Sequence, residues 1–193
     1  MRINSDLAKE ISQISKELLV INKNLYERLA DYNEKGDIKE IEIKVFKESK
    51  VKEIDTKLYS TILEEDEKVV ILSEDDIKYF NKELTLNGLV RDKNLLLSAI
   101  NSPFMTFGGC YLYRTTIDKA SQLFYSLVSN HPFVDGNKRT SVHSMLIFLR
   151  LNEVVVDFIE DELFSLTMKA SRHELDRKDI SNYLKSKLVK EKI

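Results

Sequence analysis

Residues 131–140 read HPFVDGNKRT, and they separate two stretches of sequence with a strong helical pattern of apolar residues. The stretch before them, residues 117–130, carries apolar side chains at helical spacing, namely Ala120, Leu123, Phe124 and Leu127. The stretch after them, residues 139–152, is nearly all apolar on one side, through Met145, Phe148, Leu149 and Leu151. A helix this apolar has to be buried, so we expect the second helix to lie at the centre of the domain.

Helical patterns also dominate the rest of residues 71–193, with clear start and stop signals. The predicted helix starts are Ser73 with Asp76, then Asp92, then Thr116, and the predicted stops are Asn87-Gly88 and Pro103. Two more helices are predicted over residues 160–171 and 177–189. By contrast, Pro103, Gly108 and Gly109 predict a loop or a small hairpin between residues 102 and 113. We therefore expect an all-α domain.

The first 70 residues are predicted to form an N-terminal extension. Apolar residues recur at alternating spacings of three and four over residues 4–32, which predicts one long helix with a seam formed by Leu7, Ile11, Ile14, Leu18, Ile21 and Leu25. This seam suits docking on the chain's own domain or self-association through residues 4–32, and both interpretations stay open. Further on, Ile41, Ile43 and Val45 alternate with charged residues and predict a short strand or β-hairpin. The charged run EEDEK at residues 64–68 precedes a domain boundary near residue 70.

Composition excludes several classes of protein. The 193 residues include 30 basic and 32 acidic side chains, 5 Gly and 2 Pro, which suits one globular domain with a modest appendage. No apolar run approaches the ~20 residues of a bilayer span, and the first ten residues lack the apolar core of a signal peptide, so we expect a cytoplasmic protein with no membrane contact. The formal net charge of −2 argues against general nucleic-acid binding. A single cysteine, Cys110, excludes an internal disulfide and a cysteine-based zinc site.

The segment HPFVDGNKRT carries more chemistry than a turn requires. Asp135, Gly136 and Asn137 form a turn sequence that leads into a helix N-terminus, where free N–H groups and the helix dipole favour an anion. The cations for such a site are Lys138 and Arg139. One carboxylate together with phosphates and waters is the usual Mg²⁺ arrangement, and a histidine that titrates near neutrality is a suitable general base. Asp135 and His131 therefore suit metal binding and proton abstraction in a phosphoryl transfer.

Other interpretations of the same residues have to be weighed. In isolation, His131 at a helix end is more often structural, and Asp135-Gly136-Asn137 is more often a plain turn; the complete ten-residue string favours a functional site. His143 and His173 follow no recognised zinc spacing, and His143 is expected to be a packed or partly exposed helix residue. The absence of a G-x-x-x-x-G-K-[ST] sequence excludes an ordinary P-loop enzyme.

HPFVDGNKRT closely resembles the signature H-x-F-x-[DE]-G-N-[GK]-R of the Fic family, and in particular its death-on-curing (Doc) branch. The resemblance extends to three further stretches over residues 72–188, namely 88–92 (GLVRD), 107–113 (FGG followed by Leu112-Tyr113) and 148–152 (FLRLN). It implies a compact helical Fic fold that uses ATP and Mg²⁺ to modify a hydroxyl group on a target protein. The death-on-curing branch has lysine in place of the second glycine of the motif, and Lys138 is that lysine here.

Carried over by resemblance, the roles of the residues are these: His131 is the base, Asp135 is the metal ligand, and the phosphate cradle comprises Gly136, Asn137, Lys138 and Arg139. The resemblance also makes Phe107, Gly108 and Gly109 a flap that aligns the target segment by strand-like pairing. The implied activity is transfer of the γ-phosphate of ATP to a threonine of translation elongation factor Tu, which would stall protein synthesis. A separate antitoxin would restrain such a toxin.

Two departures from the family pattern bear on these expectations. Members that transfer AMP usually have a second arginine three positions after the first, but Val142 stands there, which favours phosphate transfer over the adenylyltransferase alternative. Some members contain an inhibitory motif [ST]-x-x-x-E-[GN], which residues 60–65 match incompletely because Glu65 follows Glu64. A third hypothesis is a non-catalytic module that binds a nucleotide or a partner protein.

Overall fold

A computed structural model describes residues 3–31, 69–85 and 88–189 of the chain. The helices in these ranges are α1 (Ile3–Ile21), α2 (Lys23–Asp31), α3 (Glu74–Thr85), α4 (Lys93–Asn101), α5 (Thr116–Asn130), α6 (Asn137–Leu151), α7 (Glu160–Ser171) and α8 (Arg177–Ser186). The strands are β1 (Thr106–Phe107) and β2 (Cys110–Tyr111), which pair antiparallel. The expected all-α fold is confirmed. Within these ranges, no helix has the length and apolar character needed to cross a bilayer.

Helix α6 lies at the centre of the bundle, as its sequence predicts. Every residue from Thr140 to Leu149 is buried, so α6 has almost no solvent-facing side over these turns. Helix α5 packs along it, and α1 and α3 cover other sides. A helix enclosed in this way is held by its neighbours on all sides, which makes its N-terminus a rigid place for functional groups.

The N-terminal helices dock on the chain's own domain. Their buried apolar side chains join the same core as α6, and they are Ile11, Ile14, Leu18, Leu25 and Leu29. Docking within the chain therefore accounts for most of the stripe that also suggested self-association through residues 4–32. The prediction of one continuous helix is wrong, because α1 ends at Ile21 and α2 begins at Lys23. Asn22 stands between them, and its side-chain amide donates to the Leu18 carbonyl at 3.1 Å. After the break, α2 turns toward α7, and Ile21 of the predicted seam is 70% exposed.

A buried polar cluster joins the N-terminal helices to α6. His143 has no solvent exposure, and its two ring nitrogens lie 2.9 Å from Ser15 Oγ and 2.8 Å from Tyr26 Oη. Burial lowers the pKa of His143 to about 3 and raises the pKa of Tyr26, so both groups are neutral near pH 7. His143 is thus a packed helix residue, which was one of the two outcomes expected.

Arg28 ties α2 to α7. Its guanidinium donates to Glu160 at 2.9 Å and to Asp161 at 2.8 Å, and it stacks 4.4 Å from the ring centre of Phe164. Both acids lie in the first turn of α7, where the helix dipole also favours negative charge. Polar contacts therefore hold the end of α2, in addition to the apolar contacts that α1 and α2 make with the core.

Several predicted boundaries need correction. Thr115, not Thr116, caps α5, because its hydroxyl accepts the Asp118 N–H at 3.0 Å. Helix α6 begins at Asn137 rather than Arg139, and α8 ends at Ser186 rather than Val189, whose N–H donates to the Val155 carbonyl. The predicted caps Asp76 with Ser73 and Asp92 are confirmed by their hydrogen bonds. The predicted hairpin near residues 41–45 and the incomplete inhibitory motif lie outside the described residues, and the domain boundary near residue 70 stays a prediction.

Candidate active site

The candidate site is built on the loop 131–136, which leads from the end of α5 to the start of α6. His131 follows α5 in the left-handed conformation, with φ 48° and ψ 54°, so the chain turns sharply as the helix ends. Two residues later, Phe133 is 1% exposed and anchors the loop in the core. Val134 and Asp135, which come next, are exposed and are thereby held at a fixed place on the surface.

A neighbouring segment, residues 89–92, pairs with one side of the loop. The backbone N–H groups of Arg91 and Asp92 donate to the Pro132 carbonyl at 2.8 and 3.1 Å. Val134 N–H donates back to the Leu89 carbonyl at 3.0 Å. These bonds form an isolated antiparallel bridge around Phe133, so the first half of the loop is fixed by backbone contacts.

Asn137 closes the loop from the other side. Its side-chain oxygen accepts the Phe133 N–H at 2.9 Å, and its side-chain amide donates to the Phe133 carbonyl at 2.9 Å. The side chain is therefore used to shape the loop. Asn137 can therefore contribute only its backbone N–H, in the first turn of α6, to the predicted phosphate cradle.

Gly136 is required by the shape of the turn. It has φ 77°, and a Cβ atom built on it would lie 2.2 Å from Cγ2 of Thr85 and 3.0 Å from Nδ2 of Asn81. Any larger residue would be strained in this conformation and would also collide with α3. The loop is thus pressed against α3 at the point where α6 begins.

Asp135 and Arg139 form the charged part of the site. Arg139 donates to one oxygen of the Asp135 carboxylate at 2.9 Å, and Gly136 N–H donates to the other at 2.6 Å. A second guanidinium nitrogen of Arg139 donates to the Leu84 carbonyl at 2.6 Å, which fixes the side chain on α3. The Asp135 side chain is 59% exposed, whereas that of Arg139 is 13% exposed. Arg139 is thus anchored on α3, and the Asp135 carboxylate faces solvent.

The start of α6 has the features of an anion site. Gly136 is the N-cap, and a glycine has no side chain with which to cap the helix. The first-turn N–H groups belong to Asn137, Lys138 and Arg139, and the last two also bring positive charge. Helix N-termini of this kind attract phosphate groups through their N–H groups and the helix dipole.

A cavity of about 210 Å³ lies beside Arg139. Its walls include Leu84 of α3 together with Leu19, Tyr26 and Glu27 of the N-terminal helices. The N-terminal extension therefore reaches the edge of the candidate site, although its sequence shows no sign of this.

The residues predicted as a flap lie in a separate hairpin. Gly108 and Gly109 have φ 59° and 83° and form the turn between β1 and β2, which confirms the hairpin alternative for this stretch. Phe107 is 81% exposed at the end of β1. At the base, Lys119 lies 4.9 Å from the ring centre of Tyr111 and Arg177 lies 5.0 Å from that of Tyr113. The hairpin has a fixed base and an exposed tip.

The structure brings some of the predicted residues together and leaves others apart. Asp135 and Arg139 are in direct contact, while His131 and Lys138 lie at the two ends of the same short segment. Sequence reasoning missed Asn81, whose buried amide supports the loop. A signal was present: Asn81 falls on the apolar stripe of α3 with Ile77 and Phe80, and a polar residue at such a position needs a buried partner.

Comparison with known proteins identifies the family. A model of the Fic/DOC family matches residues 71–149. The Toxin Doc of Mycolicibacterium smegmatis (strain ATCC 700084 / mc(2)155) is 36% identical over 94 residues, which are 48% of this chain and 72% of that toxin. This chain belongs to the Fic/DOC family. The resemblance to the death-on-curing branch, seen first in HPFVDGNKRT, is thereby confirmed.

The Fic/DOC match covers the parts of the fold that build the candidate site. Helix α3, the segment 89–92, the hairpin, the loop 131–136 and nearly all of α6 fall inside residues 71–149. Helices α1 and α2, which pack on α6, fall outside the match, as do α7 and α8. The Fic/DOC part of the chain is therefore completed by helices on both sides of it in sequence.

Proposed function

We propose that this protein is a death-on-curing-like toxin that acts in the cytoplasm and transfers the γ-phosphate of ATP to a threonine or serine hydroxyl of a target protein. Elongation factor Tu is the proposed target. The observation that carries the proposal is the contact between Asp135 and Arg139 at the start of the buried helix α6. An outward-facing carboxylate and a fixed cation beside a helix N-terminus suit a magnesium-bound polyphosphate.

The chemistry of the donor set fits Mg²⁺ held together with ATP rather than by protein alone. Among the described residues, no group of three or more histidine, cysteine, aspartate or glutamate side chains could hold a metal ion. Mg²⁺ commonly takes one or two carboxylates and completes its shell with phosphate oxygens and waters. Asp135 would hold the ion, which would neutralise charge on the phosphate oxygens.

The proposed roles in the transfer follow from the chemistry of each group. The His131 imidazole takes the proton from the target hydroxyl, whose oxygen then forms a bond to the γ-phosphorus. The bond from that phosphorus to the β,γ-bridging oxygen breaks, and ADP leaves with its electron pair. Lys138, Arg139 and the first-turn N–H groups of α6 bind the phosphate oxygens, where negative charge is concentrated.

Val142 supports transfer of phosphate over transfer of AMP. It stands where AMP-transferring members usually carry a second arginine, and it has no solvent exposure in α6. This position therefore offers no cation to a nucleotide. Similarity to a protein named Toxin Doc supports the toxin role, and with it restraint by a separate antitoxin.

The test is labelling of a target protein with ATP that carries radioactive phosphorus in either the α or the γ position. We expect the purified protein to label one major protein of a bacterial extract, with label from the γ position only. His131→Ala should abolish labelling and relieve growth arrest on expression. The matched control is His173→Ala, because His173 also follows a helix in the left-handed conformation, with φ 59°, and is exposed.

Each outcome discriminates between the hypotheses. Label retained only from the α position would reject phosphate transfer in favour of AMP transfer. Equal growth arrest by the wild type and by His131→Ala would reject catalysis and favour a binding module. Loss of labelling in both histidine variants would indicate that the substitution at residue 131 acts through folding rather than through chemistry.

A further inference from the structure

Asn81 is a buried amide that contacts the candidate loop and has no role in the proposed chemistry. It is 1% exposed and lies on the core-facing side of α3. A buried side-chain amide requires hydrogen-bond partners, since its donors lose their hydrogen bonds to water on burial. Its position in an apolar stripe therefore calls for a specific explanation.

The amide of Asn81 bridges the two sides of Gly136. Its nitrogen donates to the Asp135 carbonyl at 2.9 Å and to the Thr140 hydroxyl at 2.9 Å. One acceptor precedes Gly136, and the other lies in the first turn of α6. A single side chain thus fixes how the loop enters the helix.

Thr85 completes this support from one turn further along α3. Its hydroxyl donates to the Asn81 backbone carbonyl at 2.8 Å and lies 3.3 Å from the Asn81 side-chain oxygen. The methyl group of Thr85 fills the space where a Cβ on Gly136 would lie. Asn81 is therefore held in one orientation, with its donors directed at the loop.

Arg139 and the Gly136 N–H hold the Asp135 carboxylate itself, whereas the other contacts of the loop backbone fix different residues. Phe133 is held by Asn137, and Val134 is held by the Leu89 carbonyl. The Asp135 carbonyl receives its hydrogen bond from Asn81. Because this carbonyl belongs to the peptide unit that joins Asp135 to Gly136, fixing it also fixes the backbone from which the Asp135 side chain projects.

We propose that Asn81 is a positioning residue that sets the direction of the Asp135 carboxylate and thereby the affinity of the site for Mg²⁺ with ATP. The magnesium part of this inference rests on the proposed function. The part that concerns the loop rests on the contacts of Asn81 alone.

The test variant is Asn81→Asp, which keeps the shape of the side chain but replaces its donors with a carboxylate that faces two oxygens. Asn152→Asp is the matched control, because the Asn152 amide donates to the Val70 carbonyl at 3.1 Å and to the Phe148 carbonyl at 2.7 Å at the opposite end of α6. Both variants lose two amide hydrogen bonds, but only the side chain of residue 81 faces the loop. Asn81→Ala, which adds no charge, is used if Asn81→Asp does not fold.

The first measurement is hydrogen–deuterium exchange of the peptide that covers residues 131–137, without nucleotide. We expect exchange to be about tenfold faster in Asn81→Asp and unchanged in Asn152→Asp, because local opening of the loop depends on the contacts that hold it. Unchanged exchange in the Asn81 variant would overturn the proposal, whether or not the protein uses ATP.

The second measurement is the Mg²⁺ concentration that gives half-maximal ATP binding, at a temperature where all variants are folded. We expect this midpoint to rise about tenfold in Asn81→Asp, with kcat at saturating Mg²⁺ reduced less than threefold, and to stay unchanged in the control. Faster exchange with an unchanged midpoint would reduce Asn81 to a structural residue and overturn the proposal. Failure of the wild type to bind ATP would overturn the proposed function and the magnesium part of the inference, while the exchange result would still decide the role of Asn81 in the loop.

Discussion

The hydroxyl of Tyr26 in α2 lies 2.8 Å from Nδ1 of His143 in α6, inside the core of the protein. On the other side of the same imidazole, Ser15 Oγ lies 2.9 Å from Nε2. A neutral imidazole has one donor and one acceptor nitrogen, and a hydroxyl can serve either. The three groups can therefore satisfy one another, and they join the N-terminal extension to the helix that carries the Fic/DOC motif.

Replacing Tyr26 with phenylalanine removes the hydroxyl and leaves a buried ring nitrogen without this partner. We expect the free energy of unfolding to fall by about 1–3 kcal/mol. Urea denaturation followed by circular dichroism measures the change. Tyr111→Phe is the control, since Tyr111 is 52% exposed and the loss should stay below about 0.5 kcal/mol. Equal losses in the two variants would contradict a specific role for the Tyr26–His143 contact.

The buried His143 predicts a pH dependence of stability. Burial lowers its pKa to about 3 in the folded chain, against 6.5 when unfolded, so below pH 6.5 the unfolded chain takes up a proton that the folded chain does not. The free energy of unfolding should therefore decrease as the pH is lowered, by about 1.4 kcal/mol per pH unit between pH 6.5 and about pH 3. Because other groups also titrate, the measurement is the difference in slope between the wild type and His143→Gln over pH 7 to 5. Identical slopes would show that His143 takes up a proton while the chain stays folded.

Alanine substitutions at two glycines distinguish the cost of backbone strain from the cost of steric overlap. Gly136 and Gly108 have φ 77° and 59°, but a Cβ would lie 2.2 Å from Thr85 at the first and would meet nothing within 4 Å at the second. We expect Gly108→Ala to cost about 1 kcal/mol from strain alone and Gly136→Ala to cost at least about 2 kcal/mol more, because the loop also has to move. Thermal unfolding of both variants gives the comparison. Similar costs would mean that the contact between the loop and α3 is looser than the structure indicates.

The exposed tip of the hairpin predicts a loss of function without a loss of stability. Phe107 is 81% exposed, so Phe107→Ala should change the free energy of unfolding by less than about 0.5 kcal/mol. If the hairpin aligns the target, labelling of the target should fall at least about tenfold, the equivalent of 1.4 kcal/mol of binding. Val20→Ala is the control, because Val20 is 77% exposed on α1 and lies outside both the predicted apolar seam and the Fic/DOC match. Undiminished labelling by Phe107→Ala would remove the hairpin from target recognition.

Local signals in the sequence predicted much of the fold. Asp92 and the pair Ser73 and Asp76 mark the helix starts that the structure contains, because a cap depends on neighbours within three residues. The central position of α6 was also predictable, since a helix that is apolar around most of its circumference has to be buried. The break at Asn22 was missed because the apolar spacing continues through it, although the helix does not.

Contacts between distant parts of the chain explain what the sequence left out. The supporting role of Asn81 depends on a carbonyl 54 residues away, and the partners of His143 lie 117 and 128 residues away. Spacing along the chain carries no information about such pairs. The motif itself was recognisable because His131, Asp135 and Arg139 lie within nine residues of one another, so their chemistry is visible together before any folding is considered.

The shared core of α1, α2 and α6 limits how this protein can be divided. A fragment that starts at residue 71 would keep the whole Fic/DOC match, but it would strip the cover from one side of the motif helix and leave the His143 ring without either hydroxyl. Such a fragment would expose a long apolar surface to solvent, and we expect it to aggregate during expression. The stretch that matches the family and the stretch that shares one core are therefore different lengths of this chain.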